Sequence, residues 1–358
     1  MKQFLVIIVT IVFIVTLCGC SVFEANENNY QSTTHEYKTD VEINIKENAD
    51  QNMSNTLEDV KDLNLSSIDT SSNIQESVVE EMFIQIDNVK TDSRELVSFG
   101  EIDSDLSEIE SILDGYGQKI SIMAYSVDGK KAIAYNTDQK YFSACTIKAA
   151  YVLSCCKQID EGLCSPEEMM AYESHHYHKG SGKIKNQAYG TKYSIKTLLH
   201  EALFISDNVA YEMLVDRFGH EYYNQMVTDL GCTGLKLRGL WSHDVTVKDM
   251  VLLWQEIASY IESNKPMSEV MRKACTNSPF NYGCQFMNNI DYSHKSGDNF
   301  GDAPAYNDAG IIWAKNPYIY VVLTNSEGGS ETKNVINETM SKIFDIMQSS
   351  DEEIENQR

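Results

Sequence analysis

Cys145-Thr146-Ile147-Lys148 places a thiol and an ammonium three residues apart at what reads as the start of a helix. Positions i and i+3 share one helix face, so sulfur and nitrogen can meet there. The positive end of the helix dipole also favours an anion at Cys145. A thiol has a reference pKa of about 8.5, so the pair can rest as thiolate and ammonium, a nucleophile that needs no separate base. Two further stretches carry polar and cationic groups. One is Ser206-Asp207-Asn208; the other is Lys295-Ser296-Gly297, within Tyr292-Ser293-His294-Lys295-Ser296-Gly297-Asp298. Cations of this kind suit a carboxylate-bearing ligand in an otherwise acidic protein.

Those stretches need a scaffold that gathers them at one cleft. Strand-like runs span 119–126 and 131–136, joined by the turn signal Asp128-Gly129. Helical patterns fill 145–160, 194–204, 206–218, 220–230 and 246–263. Strand-like runs return at 290–296, 305–314 and 318–325, before a closing helix at about 331–348. Strands at both ends with helices between predict an α+β fold, with one antiparallel sheet flanked by helices and a separate helical lobe. The cleft between sheet and lobe is the natural place for a site.

Serine-x-x-lysine, serine-aspartate-asparagine and lysine-threonine-glycine, in that order, mark the class A β-lactamases and penicillin-binding proteins. This chain resembles that family from about Ile120 to Ile346. Cys145 stands in the serine position of the first motif, the second is matched in full, and the third has Ser296 for threonine. Gly180-Ser181-Gly182 also resembles a family feature. The resemblance implies the five-stranded antiparallel sheet of that fold. It implies attack by Cys145 on a strained amide carbonyl, with Lys148 tuning its protonation and Ser206 relaying a proton to the leaving nitrogen. It also implies an oxyanion hole from the backbone N–H groups of Cys145 and Asp298. Asn208 would hold the substrate's side-chain amide, and Lys295, Ser296 and Gly297 would line its carboxylate site. No cofactor and no metal is implied.

Two departures bear on the chemistry. With Cys145 as nucleophile, the acyl intermediate becomes a thioester. Class A β-lactamases also carry a deacylating glutamate in a Glu-x-x-Leu-Asn loop between the second and third motifs. Between Cys232 and Thr246 the sole acid is Asp244, which we read as preceding a capping box, Thr246-x-x-Asp249. His243 is the other group near that position. The expected activity is hydrolysis of a β-lactam or related cell-wall amide through an acyl-enzyme. The alternatives are a slowly deacylating sensor or trap for β-lactams or peptidoglycan stems, a cell-wall peptidase, and a thiol acyltransferase.

The flanks bear on location. Phe4 to Leu17 is an unbroken apolar run, shorter than the about 20 residues a bilayer span needs and suited to an export signal. It ends in Leu17-Cys18-Gly19-Cys20, which resembles a bacterial lipobox and implies a signal peptide over 1–19 and a lipid on Cys20. Residues 20–98 read as a disordered acidic linker; 21–98 alone carry 17 acidic and 5 basic groups. The domain is expected over 99–348, with an acidic tail over 349–358. We therefore expect a lipid-anchored, extracytoplasmic monomer at the bacterial cell membrane. A net charge of −24 argues against nucleic acid as a partner.

Seven cysteines follow Cys20. Their odd number and the adjacency of Cys155 and Cys156 argue against a disulfide framework. His175, His176 and His178, with Glu173, form a local cluster on one short stretch. We read it as a solvated loop rather than a metal site. Strand alternation turns His294 away from Lys295, into a structural role.

Overall fold

The computed structural model describes residues 96–349 except Glu101, Asp103, Gln118, Asn288 and Asn289. The export signal, Cys20, the linker up to residue 95 and the tail from residue 350 lie outside the described residues.

The sheet grows from strands whose alternate residues are all apolar enough to bury both faces. In β2 (Ile120–Ser126), Ile120, Ile122 and Ala124 face one core, and Met123 and Tyr125 face the other. The same alternation runs along β8 (Tyr318–Thr324), with Tyr318, Tyr320 and Val322 on the first side and Ile319, Val321 and Leu323 on the second. β3 (Lys131–Tyr135), β6 (Tyr292–Asn299) and β7 (Ala305–Ile312) complete the arrangement predicted from the sequence. All pairs are antiparallel, and β2 joins the early strands to the late ones from Ile120↔Thr324 to Ser126↔Tyr318.

The sheet has six strands rather than the five expected, in the order β1-β3-β2-β8-β7-β6. The additional strand, β1 (Leu96–Gly100), pairs with β3 and begins inside the segment read as linker. Its backbone hydrogen bonds to β3 hold it, with Val97 and Phe99 half-shielded against the core.

One face of the sheet is covered by α1 (Ser107–Gly115) and the last helix. The other carries the helical lobe. Its central element, α2 (Ile147–Asp160), is buried from Ile147 through Cys156, as a helix apolar around its whole circumference must be. Around it lie α3 (Ile195–Phe204), α4 (Asn208–Phe218), α5 (Glu221–Asp229), α6 (Val247–Glu262) and α7 (Ser268–Cys275). A small hairpin, β4 (Met169–Ala171) with β5 (Lys192–Ser194), precedes α3, and α8 (Ser330–Gln348) closes the chain. No described helix is long and apolar enough to cross a membrane.

Candidate active site

Cys145 sits in a 3-10 turn, Ala144–Thr146, that leads directly into α2. The turn is pinned from outside: Ser143 N–H donates to the Ser242 carbonyl at 2.8 Å, and Ser242 N–H returns to Ser143 Oγ at 3.1 Å. Ala144 is held at φ +44°, a left-handed conformation that a side chain tolerates only when its surroundings enforce it. Lys148 follows on α2, fully buried. Its Nζ donates to the Ser206 carbonyl at 2.7 Å and to Asn208 Oδ1 at 2.6 Å, and lies 3.4 Å from Ser206 Oγ. Cys145 Sγ approaches the same Asn208 Oδ1 at 3.8 Å.

Ser206-Asp207-Asn208 forms the corner between α3 and α4. Ser206 has φ +57°, the second strained residue at the site. Asp207 is the cap of α4 and fully buried. Its Oδ1 accepts from Val209 and Ala210 N–H, and its Oδ2 from Lys183 and Ile184 N–H, all within 3.0 Å. Four donors on one carboxylate tie the Gly180–Gly182 loop to the head of α4. That loop has no room for side chains at its glycines. A Cβ on Gly182 would come 2.2 Å from Asp207 Cγ, and one on Gly180 2.6 Å from Asn208 Nδ2, both at positive φ.

β6 is the outermost strand, and its edge meets the Cys145 turn. A Cβ on Gly297 would lie 2.5 Å from Cys145 N and 2.8 Å from Thr146 N, so glycine is what permits the approach. Lys295 is fully buried and donates to the Ser296 carbonyl at 2.6 Å. Ser296 is buried beside it, while Asp298 is exposed and accepts from Tyr282 OH at 2.9 Å. Thus Cys145, Lys148, Ser206, Asn208, Lys295, Ser296, Gly297 and Asp298 lie along one cleft, drawn from α2, the α3–α4 corner and β6.

The electrostatics follow from that convergence. Burial by itself pushes the Cys145 thiol up; the ammoniums of Lys148 and Lys295, with a hydrogen bond involving Ser206, outweigh it and hold the thiol below its ordinary value. Burial likewise lowers Lys148, against the opposing pull of the Cys145 sulfur and Asp207. Lys295 is lowered to about 8, mainly by burial. Lys148 Nζ also lies over the rings of Tyr211 and Trp241, 5.6 and 5.8 Å from their centroids.

Several residues fall where the sequence placed them, outside this chemistry. Asp244 is exposed and pairs with Lys140 at 3.5 Å. The capping box forms behind it: Asp249 N–H donates to Thr246 Oγ1, and Asp249 Oδ2 accepts from Thr246 N–H. His243 packs against Phe142, with ring centroids 4.6 Å apart and the planes tilted by 36°. His294 is buried against Asp308, Nδ1 to Oδ1 2.9 Å, and Asp308 holds the Tyr282 and Gly283 N–H groups. The seven cysteines among the described residues are free thiols.

The histidine loop divides. His175 is exposed; His176 is buried, with Nδ1 accepting from Glu173 N–H at 3.0 Å and Nε2 3.2 Å from Asp216 Oδ2. His175, His176 and Asp216 offer donor atoms within 4.8 Å of one another. Because His176 Nδ1 is an acceptor, Nε2 carries the neutral ring's proton and has no lone pair for a metal. His178 instead lies against Asn208, in contact with the cleft. Sequence reasoning missed this, and missed Trp241 and Tyr211 over Lys148; no local pattern marks them.

The helical lobe, the antiparallel sheet and the three motifs at their junction define the architecture shared by β-lactamases and penicillin-binding transpeptidases. A beta-lactamase enzyme family model matches residues 106–347. The chain belongs to that family, whose members are β-lactamase-like hydrolases. Among solved structures, it is similar to a β-lactamase from Sphaerobacter thermophilus, at 18% identity and TM-score 0.60, over 68% of this chain and 98% of that one. It is similar to a β-lactamase from Chitinophaga pinensis, at 16% identity and TM-score 0.60, over 67% and 97%. It is also similar to a variant of PBP-A, solved as an acyl-enzyme complex with penicillin G, at 19% identity and TM-score 0.58, over 67% and 94%. No curated protein sequence matches it.

Proposed function

We propose that this protein is a thiol-dependent member of the family that opens β-lactams, or related cell-wall amides, through a thioester on Cys145. The observation that carries the reading is the shared acceptor: Cys145 Sγ and Lys148 Nζ meet at Asn208 Oδ1, with a second buried ammonium, Lys295, acting on the same sulfur. Once the thiol proton has left that contact, the thiolate attacks the amide carbonyl carbon, and the C–S bond forms as the carbonyl electrons move to oxygen. In this reading the backbone N–H of Cys145, close to Gly297 of β6, and that of Asp298 receive the oxyanion. Collapse breaks the C–N bond, and the leaving nitrogen takes a proton from Ser206, which regains one from the Lys148 ammonium. Asn208 orients the substrate's amide side chain, and Lys295 and Ser296 its carboxylate. The same reading puts the domain outside the cytoplasm, anchored through a lipid on Cys20, with β-lactams or peptidoglycan stem peptides as ligands.

A second reading, a trap that acylates and holds, is favoured by the loop over 232–246. Its one carboxylate, Asp244, points to solvent and Lys140. Intact-mass spectrometry of the full chain in detergent, followed after mixing with penicillin G, tests both. A one-drug adduct on Cys145 that decays as penicilloate accumulates supports the hydrolase. A persistent adduct supports the trap. No adduct on a reduced Cys145 rejects β-lactam chemistry altogether.

A further inference from the structure

We propose that His178 is the base that activates water for hydrolysis of the Cys145 thioester, the role for which the loop over 232–246 presents no carboxylate. The inference rests on the acyl-enzyme reading above and adds the residue that completes its turnover.

The tautomer of His178 is set by its neighbours. Nδ1 lies 2.6 Å from the Lys179 carbonyl oxygen. A carbonyl only accepts, so Nδ1 holds the neutral ring's proton and Nε2 keeps a lone pair. Nε2 has no hydrogen-bond partner among the described residues, and the ring is half-buried. His176, two residues earlier, has the opposite tautomer, with Nε2 spent on Asp216. Only His178 of that pair offers a basic nitrogen.

Its position is equally specific. Asn208 Nδ2 donates to the same Lys179 oxygen at 2.8 Å and lies 3.4 Å from His178 Nδ1. The other end of that amide, Oδ1, faces Cys145 Sγ and Lys148 Nζ. The two ends of one side-chain amide therefore link the imidazole to the sulfur, which puts the His178 ring at the margin of the cleft that an acyl group on Cys145 would occupy. Trp241 bounds the same space, with its ring 6.1 Å from the His178 ring and 5.8 Å from Lys148 Nζ. Glu212 stands one helical turn beyond Asn208 on α4, half-buried. Burial raises its carboxyl, and the histidines of the loop, His178 first, oppose that rise.

The step balances within the site. The water oxygen bonds to the thioester carbonyl carbon while one water proton passes to Nε2 of His178. The C–S bond then breaks with its electron pair on Sγ, returning the thiolate to Lys148. The carboxylic acid product gives its proton to solvent, and the proton held by the imidazolium returns by way of solvent to restore the Lys148 ammonium.

The test follows the lifetime of the penicillin G adduct on the full chain in detergent, in wild type, His178→Gln and His178→Gly. We expect a decaying adduct in wild type and a lifetime lengthened about a hundredfold in both variants. Added imidazole should shorten the His178→Gly lifetime and leave that of His178→Gln unchanged. Equal lifetimes in all three proteins, or a lengthened lifetime that imidazole does not shorten, would overturn the assignment. A stable wild-type adduct would also overturn it, in favour of the trap. No wild-type adduct would instead remove the acyl-enzyme reading itself, and this inference with it.

Discussion

At the head of α2 stands Cys145; further along the same helix, the adjacent thiols of Cys155 and Cys156 stand in its buried middle. All three are desolvated, and desolvation raises each of them. At Cys155 and Cys156 nothing reverses it, because the nearest charges to act are the neighbouring thiol at one and Asp160 at the other. At Cys145 the ammoniums of Lys148 and Lys295 do reverse it. The two ends of one helix show that depth does not decide reactivity; the sign of the charge buried alongside does. Cys155 and Cys156 behave as small apolar side chains, while the ammoniums beside Cys145 hold its thiol below its ordinary value in the same fold.

The contrast is most directly broken by Lys148→Met, which keeps the volume and removes the ammonium. Alkylation of Cys145 by iodoacetamide at neutral pH should slow by roughly a hundredfold, while Cys155 and Cys156 remain unlabelled in both proteins. Quantitative mass spectrometry of the labelled peptides reads all three sites at once. Next in size is Gly297→Ala. The added methyl must displace the Cys145 turn or β6, and we expect acylation by penicillin G to fall by about tenfold. Iodoacetamide labelling, which needs no oxyanion hole, should change much less.

A smaller effect separates the two lysines. Lys295, lowered to about 8, is charged below that pH and neutral above it. Attraction for a substrate carboxylate is thus present below about 8 and lost as pH rises through it. Acylation by penicillin G should decline by several-fold between pH 7 and 9, whereas alkylation by neutral iodoacetamide should not decline. Asp244→Asn marks the lower limit. Its exposed pairing with Lys140 is worth little, and both rates should stay within about twofold of wild type.

Much of the site was legible because its groups come in contiguous runs. Cys145 and Lys148 are a helical turn apart, and Lys295-Ser296-Gly297 lies on one strand, so type and order sufficed to connect them. The capping box at Thr246 and Asp249 was readable for the same reason. His178 was not, because its role depends on which carbonyl its Nδ1 meets and on Asn208, a contact between two distant segments. Trp241 and Tyr211 belong to the same class: ordinary aromatics until Lys148 is brought beneath them. β1 was missed for another reason. Its five residues follow a long acidic, polar run and are too few to stand as a strand alone, and only the waiting edge of β3 makes them one.

The pairing of β2 with β8, which matches Ile120 to Thr324, also has a temporal meaning. The sheet closes only once about two hundred intervening residues are available, so the rate of folding is limited by a search over a long loop rather than by local helix formation. During that search the edge of β6 is absent, and the Cys145 thiol stands with one of its two walls, and the Lys295 ammonium, missing. As the chain is made from its N-terminus, Cys145 emerges well before the strand that completes its surroundings. Selection would then act on how briefly that interval lasts, through the speed with which the last strands and α8 dock.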